Sequence, residues 1–159
     1  MGHISSDAEW YIAELVIEIT VHGGRCNVVH RNIVLVKASS PGEAHGKAIQ
    51  FGKGGETEYK NLRGQLVEIR FRGVSKLDVM YEPLGDGAEL YFTEARGIAE
   101  SEIQKMIPPK ERLGIFRPPT PGLEQDPDYR SKAVMEEAVR MLGARVDAKT
   151  RKPTRRKAH

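Results

Sequence analysis

A strict two-residue alternation near the start of the chain constrains the fold more than any other feature. Six apolar residues of the segment 10–21 share one parity: Tyr11, Ala13, Leu15, Ile17, Ile19 and Val21. Alternation with period two is typical of a strand with one buried face. A second β-branched run at 27–38 follows two adjacent glycines, which suit a hairpin loop. The chain is therefore predicted to open with a β-hairpin.

A helix is predicted directly after this hairpin. Ser40 can accept a hydrogen bond at the helix start, Pro41 suits the first turn, and Glu43 completes an S-x-x-E capping box. Ala44 and Ala48 are four residues apart and share a helix face that can lie close to a sheet. Three glycines are expected to end this helix: Gly52, Gly54 and Gly55.

The rest of the first hundred residues predicts more strands. Alternating segments at 66–72, 76–82 and 88–94 are separated by glycine-containing turns. We therefore expect an α+β fold: an antiparallel or mixed sheet of about five strands, in the order β-β-α-β-β-β, with one helix packed on a face. A short second helix is expected at 98–107, and the whole domain is expected to span 8–107.

The last third of the chain has a different composition. Six prolines predict an extended linker at 108–127. Earlier in the chain, Asn61 and Gly64 predict a turn, because Asn61 can bond to the backbone two residues on and Gly64 can take a positive φ. A C-terminal helix is predicted at 128–143, because Asp126 and Pro127 suit its first turn and Gly143 suits its end. Its apolar stripe is the predicted partner-binding surface: Val134, Met135, Ala138, Met141 and Leu142. Residues 144–159 are expected to be a disordered tail.

Charge is concentrated at the end of the chain. The 159 residues carry a formal net charge of +3, but 145–159 contain seven basic residues and one acidic residue, so the remainder is mildly acidic. Contact with nucleic acid or another polyanion is therefore expected only from the tail. The basic residues proposed for it are Arg151, Lys152, Arg155, Arg156 and Lys157. A single cysteine, Cys26, and no spanning or secretory segment predict a cytoplasmic protein without membrane contact.

Several segments resemble a known family. They are Trp10-Tyr11, the helix entry at 36–44, the turn region at 58–64, and the segments around 71–74 and 87–91. Over residues 10–92 the chain resembles a family of small, uncharacterised bacterial domains, domain of unknown function 4288. The resemblance implies a shared α+β fold and no assigned activity, because its motifs are caps, turns and core positions.

A polar cluster on the sheet face is the candidate site. It comprises Glu14, Glu18, His30, Asn32, Arg70 and Arg72. A hairpin centred on Gly24 would place Glu18 opposite His30 and Val16 opposite Asn32. Carboxylates beside an imidazole can bind a metal or move a proton, but a solvated face with cross-strand ion pairs is the favoured interpretation.

The function predicted from these features is protein interaction. We expect a non-enzymatic cytoplasmic module whose open sheet face or C-terminal helix binds another protein or a second copy. The alternative is an accessory protein that binds nucleic acid or another polyanion through its tail. An enzyme ranks third, since no set of nucleophile, base and orienting group is recognisable, and no cofactor or metal is expected.

Overall fold

The computed structural model describes residues 9–118 and 127–150, which form an α+β fold. Within these ranges one antiparallel sheet contains four strands: β1 (Trp10–Val21), β2 (Val28–Lys37), β3 (Thr57–Lys60) and β4 (Leu66–Val79). The described helices are α1 (Pro41–Gly54), α2 (Glu100–Met106) and α3 (Lys132–Thr150), with single 3-10 turns at Lys110–Arg112 and Gly114–Phe116. The strand order is β2-β1-β4-β3, so β1 and β4 are central.

The core lies between α1 and one face of β1. The six alternating residues of β1 are all buried there, as the two-residue alternation predicted. Ala44 and Ala48 are fully buried against them. Gly52 lies in the last turn of α1 and continues this row of small buried residues. The helix ends at Gly54 with Gly55 as its C-cap, so the predicted glycine-rich end of the helix is confirmed. A Cβ atom at Gly52 would lie 2.2 Å from the ring of Phe71, so only glycine lets α1 lie this close to β4.

The start of α1 follows the predicted capping box. The Ser40 hydroxyl accepts a hydrogen bond from the Glu43 amide at 3.2 Å. The Glu43 carboxylate reaches back to Ser39 and accepts from both its amide, at 2.8 Å, and its hydroxyl, at 2.6 Å. Lys47, one turn along, forms a 2.6 Å salt bridge with Glu43. Ser40 and Glu43 thus satisfy donors at the helix start and fix where the chain turns from β2 into α1.

The prediction of about five strands was wrong in detail. The predicted segments 66–72 and 76–82 form one long strand, β4, because Gly73 lies within a region of shifted register and not in a turn. The predicted strand at 88–94 has no strand structure. β3 was missed, since its four residues adjoin a turn that dominated the sequence pattern. That turn is as expected: the Asn61 side chain accepts from the Arg63 amide, and Gly64 has φ of 76°.

The C-terminal helix begins and ends later than predicted. α3 starts at Lys132 and not at 128, with the Ser131 carbonyl accepting from the Met135 amide at 3.0 Å. It also continues past Gly143 to Thr150, so the predicted tail boundary at 144 falls inside the helix. The predicted helix at 98–107 is present as α2. The linker residues 119–126 and the tail residues 151–159 lie outside the described part of the chain.

Candidate functional site

The face of the sheet opposite α1, here called the outer face, carries most of the predicted polar cluster. The hairpin register differs by one residue from the prediction: Glu18 pairs with Val29, and Ile17 pairs with His30. A shift of one residue moves side chains to the opposite face. The outer face therefore carries Glu14, Glu18, Arg70 and Arg72. His30 and Asn32 are on the other face, the core face, because they pair with the core residues Ile17 and Leu15.

Glu14 is the centre of the outer face. Only 8% of the residue is exposed, yet its carboxylate has two partners from neighbouring strands. The Nε atom of Arg31, in β2, donates to Glu14 Oε1 at 2.8 Å. The Nη2 atom of the same guanidinium lies 2.6 Å from that oxygen. The Ser75 hydroxyl of β4 donates to the same oxygen. The hydrogen bonds from Ser75 and then from Arg31 lower the pKa of Glu14, so this carboxylate is held in its charged form.

The second glutamate of β1 has its own partners. Glu18 accepts a hydrogen bond from the Asn27 side chain at 2.7 Å and lies 3.4 Å from Nε of Arg72. Ser75 and Arg72 are the residues of β4 at the two register shifts against β1. A residue without a direct counterpart in the ladder is re-aimed by the bulge. Both irregularities of β4 therefore turn a hydrogen-bond donor towards a glutamate of β1.

Arg70 pairs with carboxylates of its own edge of the sheet. Its guanidinium bonds to Glu58 of β3 and lies 3.0 Å from Glu68 of β4. The hydrogen bond to Glu58 is the main cause of a raised pKa of Arg70. The expected ion pairing of Arg70 and Arg72 is thus confirmed. Neither guanidinium is directed to a common anion site on the outer face.

His30 and Asn32 are separated from the glutamates. The His30 ring meets the ring of Tyr129 edge-on, with 5.7 Å between centroids. Asn32 is exposed at the edge of the sheet. Throughout the described ranges, no three His, Cys, Asp or Glu side chains lie together in a group that could hold a metal ion. The predicted carboxylate–imidazole arrangement is therefore not assembled by the fold.

The free edge of β2 is a feature that the sequence analysis missed. The Ala38 amide donates to the Glu9 carbonyl at 2.9 Å, which fixes the alternation of the β1–β2 ladder. In an antiparallel pair every second residue then directs its amide and carbonyl away from the partner strand. The outward residues of β2 are Val29, Arg31, Ile33, Leu35 and Lys37. The Lys37 carbonyl accepts from the Lys47 side chain at 2.9 Å, which agrees with this assignment.

The outward residues of β2 also have exposed apolar side chains. Val29, Ile33 and Leu35 are each at least 40% exposed and lie on the outer face, with Arg31 between the first two and Lys37 after the last. The β-branched residues of 27–38 predict a strand but do not by themselves identify its free edge. Its second set of alternating apolar residues was the signal for an uncovered surface, since a strand apolar on both faces needs cover on both.

Asn61 joins the sheet to the segment before α3. Its side chain is fully buried, and Nδ2 donates to the Asp128 carbonyl at 2.7 Å. The Oδ1 atom accepts from the amides of Arg63 and Gln65. Tyr59 of β3 donates its hydroxyl to the Tyr129 carbonyl. These contacts fix residues 127–131 against β3, where His30 meets the Tyr129 ring.

Beyond this junction, the part of α3 whose side chains are described, 132–141, has no substantial packing against the strands or the other described helices. Val134 and Met141 of the predicted stripe are exposed, while Met135 and Ala138 are half-buried. The side chain of Leu142 and the five basic tail residues lie outside the described residues. Among the helices that are described, none has the length and hydrophobicity of a membrane span.

A groove of about 450 Å³ lies beside the C-terminal end of β4. The chain after β4 returns past this strand, although it does not pair with it as a strand. Three carboxylates and three exposed aromatic rings line the groove: Asp78, Glu82, Glu89, Tyr81, Tyr91 and Phe92. The Glu89 amide donates to Glu82 Oε2 at 3.0 Å, which holds the two sides of the loop together. We call this site the acidic groove.

The architecture and the site define an α+β domain with one helix-covered sheet face and one outer face. The model of a family described as a domain of unknown function (DUF4288) matches residues 10–92, more than half of the chain. The chain therefore belongs to this family. The match spans the sheet, α1 and the acidic groove, whereas α2 and α3 lie beyond it. A search of curated proteins found no match, and neither did a search of solved structures.

Proposed function

We propose that this chain is a non-enzymatic protein-interaction module that binds an extended segment of a partner protein along the free edge of β2. The observation that carries the proposal is the row of outward amides and exposed apolar side chains on this strand. An extended peptide can add a strand to such an edge, with main-chain hydrogen bonds giving affinity and alternate side chains giving specificity. The exposed thiol of Cys26 agrees with a reducing, cytoplasmic location.

The charges around this edge support protein binding over catalysis. Glu14, the most buried carboxylate of the outer face, is held by Arg31 and Ser75. It therefore acts as an anchor that fixes Arg31 beside the apolar residues of β2. A general base or a nucleophile needs a reactive group directed at a substrate, and Glu14 and Glu18 of the outer face are instead engaged with neighbouring side chains.

The decisive experiment compares two exposed apolar residues in the full chain. Ile33 of β2 is 50% exposed and Phe51 of α1 is 52% exposed, so Ile33→Lys and Phe51→Lys are matched in exposure and charge. Tagged protein is used to recover partners from the native host, and sedimentation measures self-association. We expect Ile33→Lys to reduce binding at least about tenfold while Phe51→Lys binds as wild type, because interface centres depend on buried apolar anchors.

Equal binding by wild type and Ile33→Lys would contradict the proposal. Surface substitutions usually change the free energy of unfolding by less than about 0.5 kcal/mol, so both variants should remain folded, which thermal unfolding checks. Binding that is lost in a Val134→Lys, Met141→Lys double variant and kept in Ile33→Lys would move the interface to α3.

A polyanion-binding function remains the alternative proposal, because the basic charge of the chain is concentrated at its end. Deleting 144–159 would shorten α3, so the test replaces the five basic residues of 151–157 by glutamine in the full chain. Loss of binding in that variant, with an affinity that falls steeply as salt is raised, would support polyanion contact. Binding that survives the glutamine substitutions and the raised salt supports the β2 edge.

A further inference from the structure

The acidic groove has a chemical character unlike that of the β2 edge. Its lining includes Asp78, Glu82 and Glu89, and none of the lining residues that the structure describes is basic. The rings of Tyr81 and Phe92 are largely exposed there. Carboxylates next to aromatic faces provide the two features that recognise an organic cation: opposite charge and the negative face of an aromatic ring.

We infer that the acidic groove binds an arginine side chain presented by an extended basic segment of a partner protein. A guanidinium group is planar, so it can stack on a ring such as Phe92 while it donates two hydrogen bonds to one carboxylate. A neutral apolar ligand could contact the aromatic rings, but it would make no use of the carboxylates beside them.

The rim of the groove already contains such a contact. The ammonium group of Lys76 lies 5.6 Å from the centroid of the Tyr91 ring. This distance is within the range of cation–π attraction. The Tyr91 ring therefore already has a positive charge, that of Lys76, on one of its faces. This contact indicates that the rim of the groove accommodates a cation.

The shape of the groove favours a peptide over a small enclosed ligand. Its volume of about 450 Å³ is sufficient for more than one side chain. The groove is open, and Glu82 and Glu89 are both solvent-exposed. Glu82 is oriented by the hydrogen bond from the Glu89 amide to its Oε2 atom, which fixes one carboxylate before a ligand arrives. Pre-orientation of this kind lowers the cost of binding.

This inference does not depend on the proposed role of the β2 edge. The groove is lined by residues of β1, α1, β4 and the chain after β4, and none of its described lining residues belongs to β2. A protein that binds through β2 alone would keep its partner when the groove is altered. The reverse also holds, so failure of one proposal leaves the other open to its own test.

The experiment measures binding of a defined probe to the full chain. The probe is a fluorescein-labelled peptide, Gly-Arg-Gly-Arg-Gly-Arg-Gly, followed by fluorescence anisotropy at low salt. The control peptide has citrulline at the three arginine positions, which keeps the length and polarity and removes the charge. We expect the arginine peptide to bind and the citrulline peptide to bind about tenfold more weakly or not at all.

Three variants locate the binding. Glu82→Gln and Glu89→Gln should each weaken binding of the arginine peptide about tenfold, and Phe92→Ala should weaken it about threefold. Glu94→Gln is the matched control, since it removes a carboxylate two residues beyond the groove that pairs with Arg96. Binding to Glu94→Gln should equal that of wild type.

Three outcomes would overturn the inference. The arginine peptide could fail to bind, it could bind no better than the citrulline peptide, or Glu94→Gln could weaken binding as much as Glu82→Gln. The last outcome would show that the peptide responds to the general acidity of the surface and not to the groove. Thermal unfolding of each variant checks that the fold is kept, and the exposed position of all four residues favours this result.

Discussion

Residues 10–80 contain fully buried apolar side chains, whereas the described chain after them contains none. All the core residues of the described chain fall between Tyr11 and Met80. From 81 onwards no described residue is fully buried, although this part contains the exposed aromatics of the acidic groove and the exposed residues of α2 and α3. Residues 10–80 form the hydrophobic core, and the described chain after them adds exposed apolar surface outside that core.

This contrast indicates which surfaces are available to a partner. A single exposed apolar residue is ordinary, but large apolar surfaces that remain uncovered mark interaction sites. In residues 10–80 the main uncovered surface is the outer face of β2. In the later region it is the groove and α3. A folded body that presents several uncovered surfaces is consistent with a module that holds partners.

The sharpest test of this comparison is a truncation in each region. Leu15 is buried in the core beneath α1, whereas Ile115 is 88% exposed. Leu15→Ala should lower the free energy of unfolding by about 3 kcal/mol, because a buried Leu leaves a cavity. Ile115→Ala should change it by less than about 0.5 kcal/mol. Urea unfolding measures both, and similar losses from the two variants would remove the distinction between the regions.

The close contact of α1 with β4 gives the next largest effect. Gly52→Ala places a Cβ atom against the Phe71 ring and should lower the free energy of unfolding by about 2 kcal/mol, since overpacking forces the neighbours to move. Gly46 is in the same helix with open space around it, so Gly46→Ala should raise stability by about 0.5 kcal/mol. Effects of equal sign in urea unfolding would contradict the packing described here.

The junction between the two regions depends on Asn61. Asn61→Ala should lower the free energy of unfolding by about 1.5 kcal/mol, because it removes a buried side chain that accepts from two backbone amides and donates to a carbonyl. Hydrogen exchange in 127–131 should also become faster, since the bond to the Asp128 carbonyl is lost. Asn32→Ala, an exposed asparagine, is the control and should change neither. Unchanged exchange in Asn61→Ala would show that the contacts of Tyr129 with Tyr59 and His30 hold the segment without Asn61.

Local patterns predicted much of the sheet body. The alternation in β1, the capping box at Ser40 and the turn at Asn61 each depend on residues close in sequence, and all three were confirmed. The predicted hairpin register was wrong because the loop is centred between Gly23 and Gly24, whereas the prediction centred it on Gly24. Moving the centre of a hairpin by half a residue shifts every cross-strand pair by one position.

The candidate site was less predictable, because its contacts join distant residues. The role of Ser75 follows from a register shift in β4 that no local pattern announces. The acidic groove forms because the chain after β4 returns past this strand without pairing, and alternation at 88–94 had predicted a strand instead. Asn61 was recognised as a turn residue, while its bond to Asp128 spans 67 residues.

The capping box of α1 allows a test that separates its two halves. Ser40→Ala removes a hydroxyl that does not ionise, so it should lower the free energy of unfolding by about 1 kcal/mol at every pH. Glu43→Gln removes the charged half. Together the two variants distinguish a cap that acts through hydrogen bonding alone from one that also depends on charge.

The smallest effect that we expect is the pH dependence of Glu43. The salt bridge from Lys47 and then the bonds from Ser39 lower the pKa of Glu43 from 4.5 to about 2. A lowered pKa in the folded state stabilises the protein above the ordinary value, and this contribution is lost as the pH falls from 4.5 towards about 2. The stability difference between wild type and Glu43→Gln should therefore shrink across this window, as urea unfolding at successive pH values would measure. A difference that stays constant would mean that the carboxylate contributes through hydrogen bonds that glutamine replaces, and the charge of Glu43 would then have no part in fixing the start of α1.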